Sequence, residues 1–286
     1  MKIIKYFFEF LFIIILFIIF RIIGIKLASS FGSFIGKFFG PFFRSKKKII
    51  SNLKKALPET SEKNIELIIN EMWGNYGKIL SEYIFIKKIR NSKNEKFVTV
   101  EGQEILEEIK ISKDPVVFIS GHFNNFELMA MEIEKSGINL AAIYRPLNNI
   151  FLNKIMEIIR KKHICKNQIK KGRSGTRELL VFLKKNYSIA LMIDQRVSEG
   201  IKCNFFGEPA FTTTIPAQLV KKFNCKIVPV YIERIRGSFF KLKVNTPIFF
   251  EKNSSLEKIT LDLNKHLEKM ILKNPSQWIW SHNRWK

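Results

Sequence analysis

The stretch PVVFISGHFNNFELMAMEIEK, residues 115–135, decides how this chain is read. The segment PVVFIS has the length and apolar character of a strand buried on both faces, and NNFELMAMEIEK carries apolar residues at helical spacing. Between them Gly121-His122 makes a turn. A histidine at the end of a buried strand, just ahead of a helix, occupies the edge where α/β sheets present reactive groups. Glu127 follows five positions on. Residues five apart on one helix are rotated by about 140°, so the two can meet only if His122 lies in the turn and Glu127 in the first turns of the helix. In that arrangement the carboxylate fixes the imidazole tautomer, and the free nitrogen takes a proton from a hydroxyl as a general base. The same spacing also allows a histidine that merely caps the helix and a glutamate that faces water.

On either side, strand-like and helix-like blocks alternate. INLAAIY (138–144), SIALMID (188–194), KIVPVYIERI (226–235) and FFKLKVNTPIFF (239–250) read as strands. NNIFLNKIMEIIRKKH (148–163) and TRELLVFLKK (176–185) read as helices. Ile65, Ile68, Met72, Trp73, Tyr76 and Ile79 recur at helical spacing, which predicts a helix over 62–88, interrupted or ended near its glycines. A last helix is expected from the capping box Ser254-x-x-Glu257 through Leu263 and Met270. Such alternation predicts an α/β fold, a mixed sheet layered with helices, over residues 61–286. No internal repeat or low-complexity tract interrupts it.

The N-terminus is of another kind. YFFEFLFIIILFIIFRIIGI, residues 6–25, is broken only by Glu9 and Arg21. Twenty helical residues reach about 30 Å, the thickness of a hydrocarbon core, so residues 1–25 read as an uncleaved membrane anchor. A helix lying in the interface is the alternative. Residues 26–60 form a basic and apolar segment beside it. Residues 1–60 hold eleven Lys and Arg against two acids, within a chain of net charge +24. By the positive-inside bias, the cations at and after the apolar run place the remainder on the cytoplasmic side. Anionic lipid and nucleic acid both suit such a charge, but no nucleic-acid module is recognisable and the anchor argues for the membrane.

Other chemistries find little support. Cys165, Cys203 and Cys225 are widely spaced and read as free thiols, and no Cys/His pattern has zinc spacing, so no metal is expected. KKGRSGT (170–176) lacks the spacing of a nucleotide P-loop and reads as a helix N-terminus able to face phosphate. GRSG is not a nucleophile elbow. Trp278, Trp280 and Trp285 suit either an interfacial belt or packing on the domain. His163, His266 and His282 read as structural or solvated.

GHFNNFE resembles the H-x4-D/E motif of glycerolipid-type acyltransferases, and in particular that of the late (lauroyl/myristoyl) acyltransferases of lipid A synthesis. YRPLNN (144–149), KGRSGTRELLVFLKKNYSIALMIDQ (171–195), FFGEPAFTTT (205–214), VPVYIER (228–234) and WIWSHNRWK (278–286) are similar to that family's later blocks, in the expected order. Asn124 stands where a glycine is expected and Phe126 where tryptophan is common. The resemblance implies a glycerolipid acyltransferase-like domain behind an anchor in the bacterial inner membrane. It implies His122 and Glu127 as catalytic dyad and Arg145, Asp194 and Asn125 as substrate-binding residues. Arg145 is expected to stabilise an oxyanion, to bind a sugar phosphate, or to pair with Asp194. The implied reaction moves a lauroyl- or myristoyl-class chain from acyl carrier protein, the co-substrate, to a hydroxyl of a lipid A precursor, with anionic lipids as surroundings and no cofactor. Alternatives are another lipid or glycolipid acceptor, or a non-catalytic basic membrane protein.

Overall fold

The computed structural model describes residues 2–93 and 96–286. Helices α1 (Lys2–Phe39), α2 (Lys46–Ala56), α3 (Glu62–Glu82) and α4 (Ile86–Asn91) precede the sheet. Then come β1 (Val98–Glu101), α5 (Gln103–Ser112), β2 (Val117–Ser120), α6 (Glu127–Lys135), β3 (Leu140–Tyr144), α7 (Ile150–His163), β4 (Asn167–Lys170), α8 (Arg173–Lys184) and β5 (Ser188–Met192). A hairpin of β6 (Ile201–Phe205) and β7 (Glu208–Thr212) leads to α9 (Ile215–Phe223), β8 (Ile227–Arg236), β9 (Phe239–Val244) and α10 (Leu256–Lys273).

The main sheet has the order β1-β9-β8-β2-β5-β3-β4. Only the β8–β9 pair is antiparallel. Every residue of β2 is buried, as a strand covered by helices on both faces requires. The expected α/β class with a mixed sheet layered with helices is therefore present, and the sheet is mostly parallel. Ser120 stands opposite Met192 in the β2–β5 register. Parallel neighbours in that register bring the residues two places beyond each strand, His122 and Asp194, to the same edge.

Several boundaries differ from the sequence reading. Helix α3 runs unbroken through Gly74 and Gly77 to Glu82, because those glycines serve a crossing with α1 rather than a break. A methyl group on Gly77 would overlap the carbonyl of Gly32, and one on Gly36 would overlap that of Trp73. The cap of α10 is Ser255, whose hydroxyl accepts from Lys258 N at 3.1 Å, one residue later than expected. Strands β1 and β4 and the β6–β7 hairpin carried no signal strong enough to be read in advance. They are four or five residues long, β4 is largely polar, and the hairpin turns on Phe206-Gly207, both at positive φ.

Helix α1 is long and apolar enough to cross a membrane by length and composition. It bends at Gly24 (φ 79°, ψ 164°), one residue before the expected end of the anchor, and continues as helix. Beyond the bend Ala28, Ser29 and Gly32 are buried, and in α2 so are Ile49, Leu53 and Ala56. Before the bend one face leans on the domain: Phe7 and Phe10 each pack on Phe151 of α7 at 5.7 Å. Asn149, which caps α7, also donates to Tyr6 O and to Glu9. The opposite face exposes the apolar side chains of Ile4, Phe8, Phe12, Ile15 and Ile19.

Candidate active site

His122 lies in the loop between β2 and α6, and Glu127 is the first residue of α6. The loop is fixed from behind. Asn124 takes φ +43°, a left-handed conformation that glycine adopts freely and asparagine tolerates. This accounts for a glycine being expected there. Its backbone N–H donates to Gln277 O at 3.0 Å, and its side chain bonds Gln277 Oε1. Phe126 sets its ring edge-on to the imidazole at 4.8 Å between centroids, so an aromatic side chain still supports His122 where tryptophan was expected.

The carboxylate hydrogen-bonded to the imidazole is that of Asp194. Its Oδ1 lies 2.8 Å from His122 Nδ1, and its Oδ2 accepts from the His122 backbone N–H at 2.8 Å and from Trp278 Nε1 at 2.9 Å. Asp194 is fully buried. Burial alone would raise its pKa, but His122 and these donors outweigh it and hold it down at about 2. An ionised aspartate only accepts, so Nδ1 carries the proton and the neutral imidazole keeps its lone pair on Nε2. Burial works against charge on His122, yet Asp194 first and then Glu127 overcome it and raise its pKa.

Glu127 is turned to Arg160 of α7. Its Oε1 accepts from Arg160 Nε at 2.8 Å and also from Nη2. Both side chains are nearly buried, at 11% and 9% exposure. Burial disfavours the charge of Arg160, but the adjacent Glu127 more than compensates and raises its pKa. Arg160 also covers the Tyr144 ring at 5.3 Å, and its Nη1 is buried with no hydrogen-bond partner. The sequence reading passed over Arg160, because IIRKKH looks like an ordinary basic last turn of a helix.

Two cavities meet here. The larger, about 480 Å³, has an apolar floor on β2, β3 and β5 beneath α6 and a rim carrying Arg44, Arg145 and Lys171. The smaller, about 260 Å³, lies between α1, α3 and α7. His122, Phe126, Glu127, Leu147 and Arg160 line both. Arg145 follows β3 and is exposed at the rim. Its expected bridge to Asp194 is not formed, since both Asp194 oxygens are engaged by His122 and Trp278. Neither Asp194 nor Asn125 lines either of these two cavities. Asn125 is fully buried and donates to Glu82 Oε2 at 3.3 Å, which braces the loop.

Trp278 and Trp280 are buried against the domain, not arranged as an interfacial belt. His282 Nε2 accepts from Arg196 N at 3.0 Å, and burial lowers its pKa to about 4, keeping it a neutral acceptor. The three cysteines are free and buried. Among the described residues no three His, Cys, Asp or Glu side chains gather as metal ligands would.

Comparison with known proteins adds an independent line. The model of a family described as bacterial lipid A biosynthesis acyltransferase matches residues 1–286. A lipid A biosynthesis acyltransferase of Haemophilus influenzae is 26% identical over 242 residues, covering 82% of this chain and 75% of its own. A palmitoleoyltransferase of lipid A biosynthesis from Escherichia coli K12 is 24% identical over 240 residues, with 82% and 76% covered. The myristoyltransferase of lipid A biosynthesis from the same organism is 22% identical over 243 residues, with 82% and 73% covered.

Proposed function

From the premise that the chain belongs to the bacterial lipid A biosynthesis acyltransferase family, and so is a lipid A acyltransferase, we propose a specific reaction and a division of labour. A fatty acyl chain passes from a thioester on acyl carrier protein to a hydroxyl of a lipid A precursor. The observation that carries this reading is the His122–Asp194 pair, which leaves Nε2 as a base on the cavity wall. Nε2 takes the hydroxyl proton as the oxygen attacks the thioester carbonyl carbon. The C–S bond then breaks, and the thiolate leaves with a proton returned from the imidazolium. A thioester is already activated, so a base and an oxyanion stabiliser suffice and no further cofactor is called for.

Asp194 orients the imidazole and supports its charge, the role first assigned to Glu127. Glu127 acts from the first turn of α6 in two ways: its charge favours the imidazolium, and it holds Arg160. Arg160, which lines both cavities together with His122, is assigned to the developing oxyanion. Arg145, with Arg44 and Lys171, suits a phosphate at the rim. Relatives named for myristoyl and palmitoleoyl transfer stand at similar distance, so the lauroyl/myristoyl class is kept as a proposal for the donor. The exposed apolar face of α1 and the basic residues after it fit an anionic membrane surface, here the cytoplasmic face of the inner membrane.

The test is mass spectrometry of lipid A from cells with and without the gene, complemented by the wild type, Glu127→Ala or Asp194→Asn. Loss of one secondary acyl chain, restored by the wild type alone, is the expected result. Unchanged lipid A in every strain would overturn the assignment of the acceptor.

A further inference from the structure

Two hydrocarbon-lined chambers meeting at one histidine is more than a single acyl pocket requires. The larger chamber reaches over the sheet, where Ala142 and Ala190 stand opposite each other in the β3–β5 register and leave room that bulkier residues would fill. The smaller is walled by Met72 and Ile79 of α3, Met156 of α7 and Phe17 of α1. Three of its polar members are engaged elsewhere, while the Tyr83 hydroxyl, Asn124 Oδ1 and Arg160 Nη1 are buried without a partner and present almost no accessible surface. Asn75 accepts from Arg234 Nε at 3.2 Å, Gln277 bonds the Arg234 backbone through both ends of its amide, and the Tyr76 hydroxyl meets Ser281 at 3.3 Å. Such a lining offers apolar surface and little for a sugar or phosphate to bind.

Phe17 decides which chain it takes. It belongs to the helix whose other face, with Ile15, Ile18 and Ile19, is exposed and apolar, so one helix forms both the lipid-facing surface and a wall of the chamber. We propose that the smaller chamber holds a hydrocarbon chain of the membrane-resident acceptor lipid, entering alongside α1, while the donor acyl chain occupies the floor of the larger one. This rests on the acyltransferase reading above. Two chains brought from opposite sides then place the acceptor hydroxyl and the donor carbonyl together at His122 Nε2.

The experiment uses the full chain in membranes and a disaccharide lipid A precursor carrying a diazirine near the methyl end of one hydroxyacyl chain. After photolysis, labelled peptides are mapped, and the turnover of the same precursor is measured. Label on α3 or α7 around Ile79 and Met156 is expected; label on β3 or β5 around Ala142 and Ala190 overturns the assignment. A precursor that the wild type does not acylate refutes the underlying reading of the reaction, and this inference falls with it. Substitutions give a second readout. Ile79→Trp should raise KM for the precursor roughly tenfold, the equivalent of about two buried methylenes, with the transferred chain unchanged. Ala142→Leu should shorten the preferred donor chain. The reverse pattern, a changed donor length from Ile79→Trp, or no effect of it on either parameter, refutes the proposal.

Discussion

Replacing Asp194 by Asn tests the centre of the mechanism with little change in volume. The wild-type carboxylate receives three donors, one of them the imidazole Nδ1–H, with no exposure to solvent. An amide at this position either presents its oxygen to Nδ1 without the charge or its NH2, which forces the proton onto Nε2 and removes the base. Loss of a general base of this kind is worth about 10²- to 10⁴-fold in kcat. The substitution also moves the acid limb of the pH profile. In the wild type the imidazole pKa lies above its usual value, so activity falls as pH drops through that raised value and the base becomes protonated. With Asn the main support for the imidazolium is gone while burial remains, so the residual activity should persist to lower pH. The stability terms have defined signs. His122 contributes stability that is present below its unfolded pKa and lost as pH rises through the raised one; Asp194 contributes above its unfolded pKa, and this is lost as pH falls towards about 2. The assay is kcat/KM against pH with an acyl-carrier thioester and a lipid A precursor. A variant within threefold of wild-type kcat and with the same acid limb would refute the pairing of Asp194 with the catalytic imidazole.

Glu127→Gln leaves Arg160 as a buried charge without its counterion and should cost about 3–5 kcal/mol of stability by denaturant titration, whereas Glu127→Leu combined with Arg160→Met should recover much of that but no activity. Gly77→Ala sets a methyl group into the Gly32 carbonyl, where both atoms are fixed by helical backbone; a loss of about 1–3 kcal/mol or more is expected in thermal unfolding, and an unchanged midpoint would contradict the close crossing of α1 and α3. Arg145→Lys should lose much of the turnover if the planar guanidinium grips an oxyanion or phosphate by two contacts, and near-normal turnover removes Arg145 from the mechanism.

What the sequence made legible was local. The apolar run ending at Ser120, the glycine turn and the helix after it were readable because strand and helix periods differ and because a strand end marks an exposed edge. The placement of His122 and Glu127 followed from that. The partner of His122 was not readable, because it depends on which strand lies beside β2. Asp194 is 72 residues away, and only the β2–β5 register sets it against the imidazole. The usable signal was that both residues lie two places past the end of a strand. Arg160 was hidden differently: on a helix end, a basic residue that turns inward to a glutamate has the same sequence appearance as one that faces water.

The anchor and the catalytic loop illustrate the same dependence at larger scale. Ser29 of α1 donates to Glu82 Oε1 at 2.7 Å, Arg234 of β8 grips both oxygens of that carboxylate, and Asn125, three residues past His122, donates to the second. Glu82 has no exposure, so each of these bonds replaces one that water would have made, and losing any of them leaves a buried group uncompensated. On the proposed reaction, an acceptor held beside α1 must bring its hydroxyl within hydrogen-bond reach of Nε2, and this requires a fixed distance between that helix and the loop that holds the base. A carboxylate collecting donors from α1, β8 and the loop after β2 sets that distance through bond directions, which sliding apolar surfaces alone leave free. Residues 26–60 therefore do not join a detachable anchor to an independent domain. They carry Ser29 to Glu82, and Asn52 to the carbonyls of Trp280 and His282 at 2.9 and 2.8 Å, so the long apolar N-terminal helix is built into the frame of the candidate active site.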